Sequence, residues 1–410
     1  LINLIGPNLS NEAKSIAISQ LRILTPCIPL SGFIGLSFGA LNSRNKFLIS
    51  SISPAIISIA IIFFILLSWI SNKNNTTFLP SYALLAYATL VGTFIQFLIQ
   101  IWAINKIGLL RFKSNFGSFI KEEKRILNLI LPACISSGLG QINVYVDMFF
   151  ASSFQGAASG LAYGNFLIQA PLGILSNSLI LPLLTKFSKL KADEKYVKLG
   201  KNLTTGIEYC FLTTIFLTAF FITFNDQIVQ LAFQRGAFDF NAVSEVRKIL
   251  IAYSVGIPFY LYRDLLVRTY YSIEKTKLPF KLSLLGILLN IFFDWILISV
   301  LASYNLEIEG IILSSAAVNF IICFILSVNL KNHNIRLPFS LLFIKILLIS
   351  LSAVITGYAC FSIFQNVPQL NTFIEKLTIL ILESLIFFII YFLITKFLKV
   401  NKFKIYQKKI

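Results

Sequence analysis

Runs of eighteen or more apolar residues recur from one end of the chain to the other, each long enough to cross a ~30 Å hydrocarbon layer as a helix. Scanning for apolar windows of about 20 residues bounded by charge, proline or asparagine predicts eleven spans: 16–41, 47–70, 80–105, 126–150, 157–185, 204–225, 243–267, 280–303, 308–330, 339–364 and 374–398. Their continuous apolarity predicts helices, because a membrane strand alternates over roughly ten residues. Composition closes off a soluble fold. Of the 410 residues, 57% are hydrophobic and 13% charged, about half the ~25% usual in globular proteins, and mean hydropathy is +0.81. An all-α polytopic membrane protein is expected.

Charge tests the span list independently. Of the 35 Lys and Arg residues, 27 lie at the exits of the odd-numbered spans and five at the exits of the even-numbered ones. A missed or invented span would scramble that alternation, so the positive-inside rule predicts an external first residue and a cytoplasmic C-terminus. The net charge of +18 is scattered through short loops instead of gathered on one face, which excludes nucleic acid as a partner. Cys27, Cys134, Cys210, Cys323 and Cys360 all sit in apolar stretches without CxxC spacing and read as small buried residues. His333 is the single histidine, so a histidine-based catalytic triad or metal site is untenable. No enzyme and no cofactor is expected.

The chain opens at Leu1, and its single methionine is Met148, so a lost N-terminal segment is expected. A weak internal repeat relates span 1 to span 7: Pro29 and Pro258 each precede a polar, basic cytoplasmic turn, after which the next span follows at once. Duplicated bundles are common in alternating-access transporters.

Five stretches together carry a resemblance: LPACISSGLGQINVYVDMFFAS from Leu131, YGNFLIQAPLGILSNSLILPLL from Tyr163, FQRGAFD from Phe233, AYSVGIPFY from Ala252 and KLPFKLSLLGILLNIFFDW from Lys277. They resemble successive signatures of the MurJ (MviN) lipid II flippases, of the multidrug/oligosaccharidyl-lipid/polysaccharide exporter superfamily. The loop with Phe233, Arg235, Gly236 and Phe238 is the most specific element. The resemblance implies fourteen helices, of which eleven are present, in a two-lobe helical bundle. It divides the chain into a partial N-lobe (1–106), a basic inter-lobe loop (107–125), a C-lobe (126–330), two added helices (331–398) and a basic tail (399–410). It also implies a bacterial plasma (inner) membrane location, lipid II as cargo, and membrane lipid and the cell-wall synthesis machinery as partners. A polysaccharide-repeat flippase or drug exporter of the same superfamily, and a non-transporting envelope scaffold, are the alternatives. Family arginines that contact pyrophosphate lie mainly in the first two helices, which this chain lacks. Another follows a Tyr-x-Asp, where this sequence reads Tyr163-Gly164-Asn165-Phe166.

Ionisable groups within a span are costly and raise a functional question. Asp147 in span 4, Asn290 and Asp294 one turn apart in span 8, and Ser314 and Ser315 in span 9 fall at similar depth in the outer halves of their spans. Asp147, Asn290, Asp294, Ser315 and the Ile311 carbonyl form a hard oxygen set suited to a monovalent cation, and the resemblance implies sodium. The alternative is an Asp–Asn hydrogen-bonded clamp that packs the lobe. In span 5, Asn165 and Gln169 precede Pro171 and Gly173, so an interrupted helix lining a cavity and packing between helices both stand. Arg263 and Arg268, with Asp264, either meet a pyrophosphate head group or snorkel to the interface. Lys345 is expected to snorkel, and Glu383 has no partner evident in the sequence.

Overall fold

The computed structural model describes residues 2–44, 49, 52–73, 81–108, 141–364 and 373–397. The inter-lobe loop beyond residue 108, the first fifteen residues of span 4 and the tail 399–410 lie outside them. Among the described residues every regular element is helical. The chain divides into two compact units, Leu1–Pro132 and Ala133–Ile410.

The first unit contains α1 (Asn11–Leu24), α2 (Cys27–Ser43), α3 (Ala55–Lys73) and α4 (Ser81–Lys106). Ser10 caps α1 by accepting the Ala13 N–H at 3.2 Å. Span 1 is not the single helix 16–41 expected: α1 begins five residues earlier and meets α2 at a 45° bend. Pro26 stands at the break. It has no N–H for the Arg22 carbonyl and its ring crowds that group, whereas Pro29 falls in the first turn of α2, where no N–H is required. The helix α4 packs against the other three through small buried residues, Ala83, Ala86, Ala88 and Ala103. A Cβ at Gly92 would lie 2.8 Å from the Ile57 Cα, so only glycine permits this approach of α3.

The second unit contains α5 (helical over 141–151), α6 (Ala157–Leu175), a π-helical turn (Ser176–Ile180), α7 (Leu181–Ala192), α8 (Tyr196–Thr223), α9 (Asn225–Phe233), α10 (Phe240–Ser272), α11 (Lys277–Leu301), α12 (Glu307–Asn329), α13 (Phe339–Phe364) and α14 (Phe373–Phe397). At the centre stands α10, which packs against α6, α7, α8, α9 and α12 and buries Ile249, Leu250, Ile257, Leu261 and Tyr270. At 33 residues it is about 50 Å long, well beyond the ~30 Å hydrocarbon layer. Pro258 lies within it and leaves the Ser254 carbonyl without its helical donor. Thr218 of α8 donates its hydroxyl to that carbonyl at 2.8 Å, so the freed group is satisfied by a neighbouring helix. The C-terminal pair is fastened to α8 by an aromatic seam of Phe216, Phe220 and Phe387, and by the Tyr391 hydroxyl, which donates to the Leu212 carbonyl at 2.9 Å.

Eight helices among the described residues are long and apolar enough to cross a membrane, or nine when the bent pair is one span. The apolar stretch Ala55–Ser71 and the helical residues 141–151 represent the other two expected spans. The nine-residue α9 was not anticipated. Its sequence, NDQIVQLAF, is too short and too polar to register in a membrane-length window.

Candidate functional site

Three helices converge on one polar cluster in the second unit. Asp147 extends from α5, Asn290 and Asp294 from one face of α11, and Ser314 and Ser315 from α12. Glycines set the spacing. A Cβ at Gly310, one turn before Ser314, would come within 3.1 Å of the Leu297 backbone, and one at Gly286 within 2.9 Å of Ile322, so α11 and α12 run closer than alanine would permit. Asn290, Asp294 and Ser314 are fully buried as a result.

Asn290 is the bridge. Its Nδ2 donates to Asp147 Oδ1 at 2.8 Å and to Asp294 Oδ2 at 3.0 Å, while its Oδ1 accepts from the Ser315 hydroxyl at 3.0 Å. Ser315 Oγ also lies 3.5 Å from Asp147 Oδ2. Ser314 Oγ contacts Asp294 Oδ1 and stands 2.8 Å from the Ile311 carbonyl, with one proton for two acceptors. The cluster therefore holds two carboxyl groups, more acceptors than donors, and no Lys or Arg in any ion pair among the described residues. The spacing argument selected Ser315 as the hydroxyl ligand. Ser314 is the one that reaches Asp294, because the azimuth of α12 cannot be read from spacing.

A second cluster is basic. Arg268 Nε pairs with Asp264 Oδ1 at 2.8 Å, both on α10. Asp264 Oδ2 accepts from the Ser176 hydroxyl at 2.8 Å, and Arg268 Nη2 lies 3.4 Å from Ser176 Oγ. Arg263, five residues before Arg268 on α10, has a neutral partner: its Nη1 donates to Asn319 Oδ1 of α12 at 2.9 Å. One guanidinium is thus neutralised and the other is not. The π-helical turn carries Ser176 to this cluster, and the widened turn falls five residues beyond Pro171, not at Pro171–Gly173 as the sequence suggested. Asn165 and Gln169 are not brought to either cluster. Both are exposed on α6, where the Gln169 amide donates to Asn165 Oδ1 at 3.3 Å.

Two further expectations change. Lys345 of α13 does not reach past its neighbours to the interface but pairs with Glu208 of α8 at 2.6 Å, both half-buried. Glu383, only 1% exposed, has a polar neighbour in Gln227 of the unanticipated α9. The Phe233–Phe238 loop is a joint: Gly236 takes φ +60°, Asp239 caps α10 by accepting the Ala242 N–H at 2.9 Å, and Tyr163 of α6 packs on both phenylalanines with ring centroids 4.9 and 5.2 Å away. Arg235 points outward and is exposed.

Comparison with known proteins covers almost the whole chain. Residues 1–400 match the family model described as lipid II flippase MurJ. A Synechocystis protein named "Probable lipid II flippase MurJ" is 34% identical over 393 residues, covering 94% of this chain and 73% of the relative. A protein of the same name from Buchnera aphidicola of Schizaphis graminum is 28% identical, covering 100% and 79%. A solved structure titled "Lipid II flippase MurJ, inward closed conformation" superimposes with a TM-score of 0.76 at 26% identity, covering 97% of this chain and 78% of that one.

Proposed function

The chain belongs to the MurJ family of lipid II flippases, and on that premise we propose that it carries lipid II from the cytoplasmic to the outer leaflet of the bacterial plasma membrane. It is a multi-pass membrane protein and a transporter, not an enzyme: no bond is made or broken. The observation that carries this reading is a family match running through residues 1–400, supported by a fold likeness over 97% of the chain.

Lipid II joins a polar, pyrophosphate-linked head group to a long apolar tail, so the costly step is taking the head group through hydrocarbon. An alternating-access cycle would shield it from hydrocarbon while the tail stays in lipid. Arg263, whose guanidinium meets a neutral amide, and Arg268, held by Asp264, are residues of this unit suited to an anionic head group. Asn165 and Gln169 offer exposed amides on α6 for its sugar and peptide portions. The distribution of Lys and Arg supports a cytoplasmic C-terminus.

Asp147, Asn290, Asp294 and Ser315, with the Ile311 carbonyl, are the residues that would hold a sodium ion. The donor set fits such an ion on chemistry: hard oxygens from three helices, including two carboxyl groups, with no protein cation paired to them among the described residues. A bound cation would supply the missing positive charge. Ser314 joins this set through Asp294.

Translocation is tested in cells depleted of their own flippase and supplied with this protein, with the surface accessibility of lipid II as the readout. Restored accessibility is expected. Unchanged accessibility, despite confirmed expression and insertion, would reject this cargo.

A further inference from the structure

Away from both clusters, the middle of α14 buries a carboxyl group that the transport reading leaves unused. Glu383 is 1% exposed and makes no ion pair among the described residues. Its surroundings are apolar: Phe224, Phe387 and Cys360 form a buried patch with Phe216, Phe220, Leu380 and Ile390 packed around it. Its polar neighbour among the described residues is the side-chain amide of Gln227 on α9, a helix that packs against α14. Two buried oxygens are left over. Among the described residues neither Glu383 Oε2 nor Gln227 Oε1 has a hydrogen-bond donor.

Both orphans are acceptors, and they belong to two neighbouring side chains on packed helices. Even with the amide Nε2 turned to one carboxylate oxygen, its own Oε1 and the second carboxylate oxygen would be left without protons. A single proton on Glu383 Oε2 supplies a donor to that oxygen and gives Gln227 Oε1 something to accept. The pair then makes two reciprocal hydrogen bonds, O–H to the amide carbonyl and N–H to the acid carbonyl, and carries no net charge. A charged carboxylate in the same apolar patch would lack a counter-ion, at a cost of several kcal/mol.

Neighbouring cations are engaged elsewhere. Lys376, two turns toward the start of α14, lies 3.3 Å from Gln230 Oε1, and Arg247 of α10 lies 3.7 Å from Asp226. Gln230 Nε2 is itself donated to Asp226 at 2.8 Å. The thiol of Cys360 is the remaining titratable group beside Glu383.

We propose that Glu383 and Gln227 form a proton-binding site at the joint between α9 and α14, in which Glu383 is a neutral acid donating to the Gln227 carbonyl. The proton comes from water as the joint closes, and holding it fastens the C-terminal helix pair to the lobe without placing a charge in the membrane. This site stands independently of the sodium reading, since it shares no residue with that cluster.

Infrared difference spectroscopy of the purified full chain in lipid nanodiscs at neutral pH, comparing wild type with Glu383→Gln, reads the protonation directly. Loss of one hydrogen-bonded carboxylic-acid carbonyl band is expected in the variant. Loss of carboxylate bands instead would overturn the proposal. Thermal melting gives a second readout. Because an amide reproduces both the donor and the acceptor of the acid, Glu383→Gln is expected to melt within about 2 °C of wild type, and Glu383→Ala about 4 °C or more lower. A marked rise for Glu383→Gln would mean that a buried charge had been removed, and would reject the site. In Gln227→Leu the acid band is expected to move to higher frequency as its acceptor disappears; an unmoved band would also reject it.

Discussion

The two polar clusters of the second unit share α12 and have opposite deficits. Near its start, Ser314 and Ser315 serve two carboxyl groups that lack a cation. One turn beyond Ser315, Asn319 serves Arg263, a cation that lacks a carboxylate. Asp264 sits one residue from Arg263 along α10, yet it pairs with Arg268 instead. Unbalanced charge of either sign is expensive inside a membrane protein, and a cluster that keeps it is built for an outside partner. On the proposed function the acidic cluster would take a monovalent cation and the basic one an anionic head group. The Glu208–Lys345 pair, one charge of each sign at 2.6 Å, shows how the same bundle settles charges that have no such partner.

The largest effect is expected from Asp294. Asp294→Ala takes one acceptor from each of the Asn290 amide and the Ser314 hydroxyl and leaves a cavity in a fully buried setting, at about 3 kcal/mol, and is expected to abolish lipid II translocation. Asp294→Asn keeps most of the hydrogen bonding while removing a charge. It should retain the fold but lose the rise in melting temperature that sodium is expected to give wild type at constant ionic strength. An undiminished sodium response in Asp294→Asn, or an equal response of wild type to a large organic cation, would reduce this cluster to a packing clamp and erase the contrast between the two.

Arg263→Gln comes next. Removing a charge-assisted hydrogen bond to Asn319 is expected to cost roughly 1.5 kcal/mol in stability and to lower translocation about tenfold, with the sodium response intact. A sodium response that fell together with translocation would show that α12 joins the clusters into one unit, since Ser315 and Asn319 lie one turn apart on it. Parallel melting and accessibility measurements on the same preparation separate these outcomes.

How much of this was legible in the sequence follows from what each signal depends on. Spans and their alternation of charge rest on local composition, and a helix stands at every one of the eleven predicted positions. Asp147, Asn290, Asp294 and Ser315 could be gathered because depth is a count along a helix. Azimuth is not, so Ser314 was passed over in favour of Ser315, and Lys345 was assigned to the interface although Glu208 stands beside it. Pro26 lay in plain view, but the apolar window ran across it and hid the 45° bend. The short α9, carrying Gln227 beside Glu383, falls below the length at which hydropathy speaks.

The finest test makes the same deletion in both clusters. Ser314→Ala and Ser176→Ala each remove one hydroxyl that touches a carboxylate. In the basic cluster Asp264 keeps its bidentate setting only in part, but the Arg268 guanidinium remains at 2.8 Å and carries the full opposite charge. Both groups are also about 30% exposed or slightly less, so solvent can replace the lost donor, and Ser176→Ala should cost no more than about 0.5 kcal/mol. In the acidic cluster Asp294 is fully buried, and after Ser314→Ala its Oδ1 has no donor at all, so about 2 kcal/mol is expected in sodium-free buffer. Sodium should return part of that loss, because the freed oxygen is one that a cation in the cluster can use. Melting curves of the two variants with and without sodium measure the difference. Equal losses in sodium-free buffer would mean that the two carboxylates are equally well compensated, which would remove the basis for assigning the clusters to ligands of opposite charge.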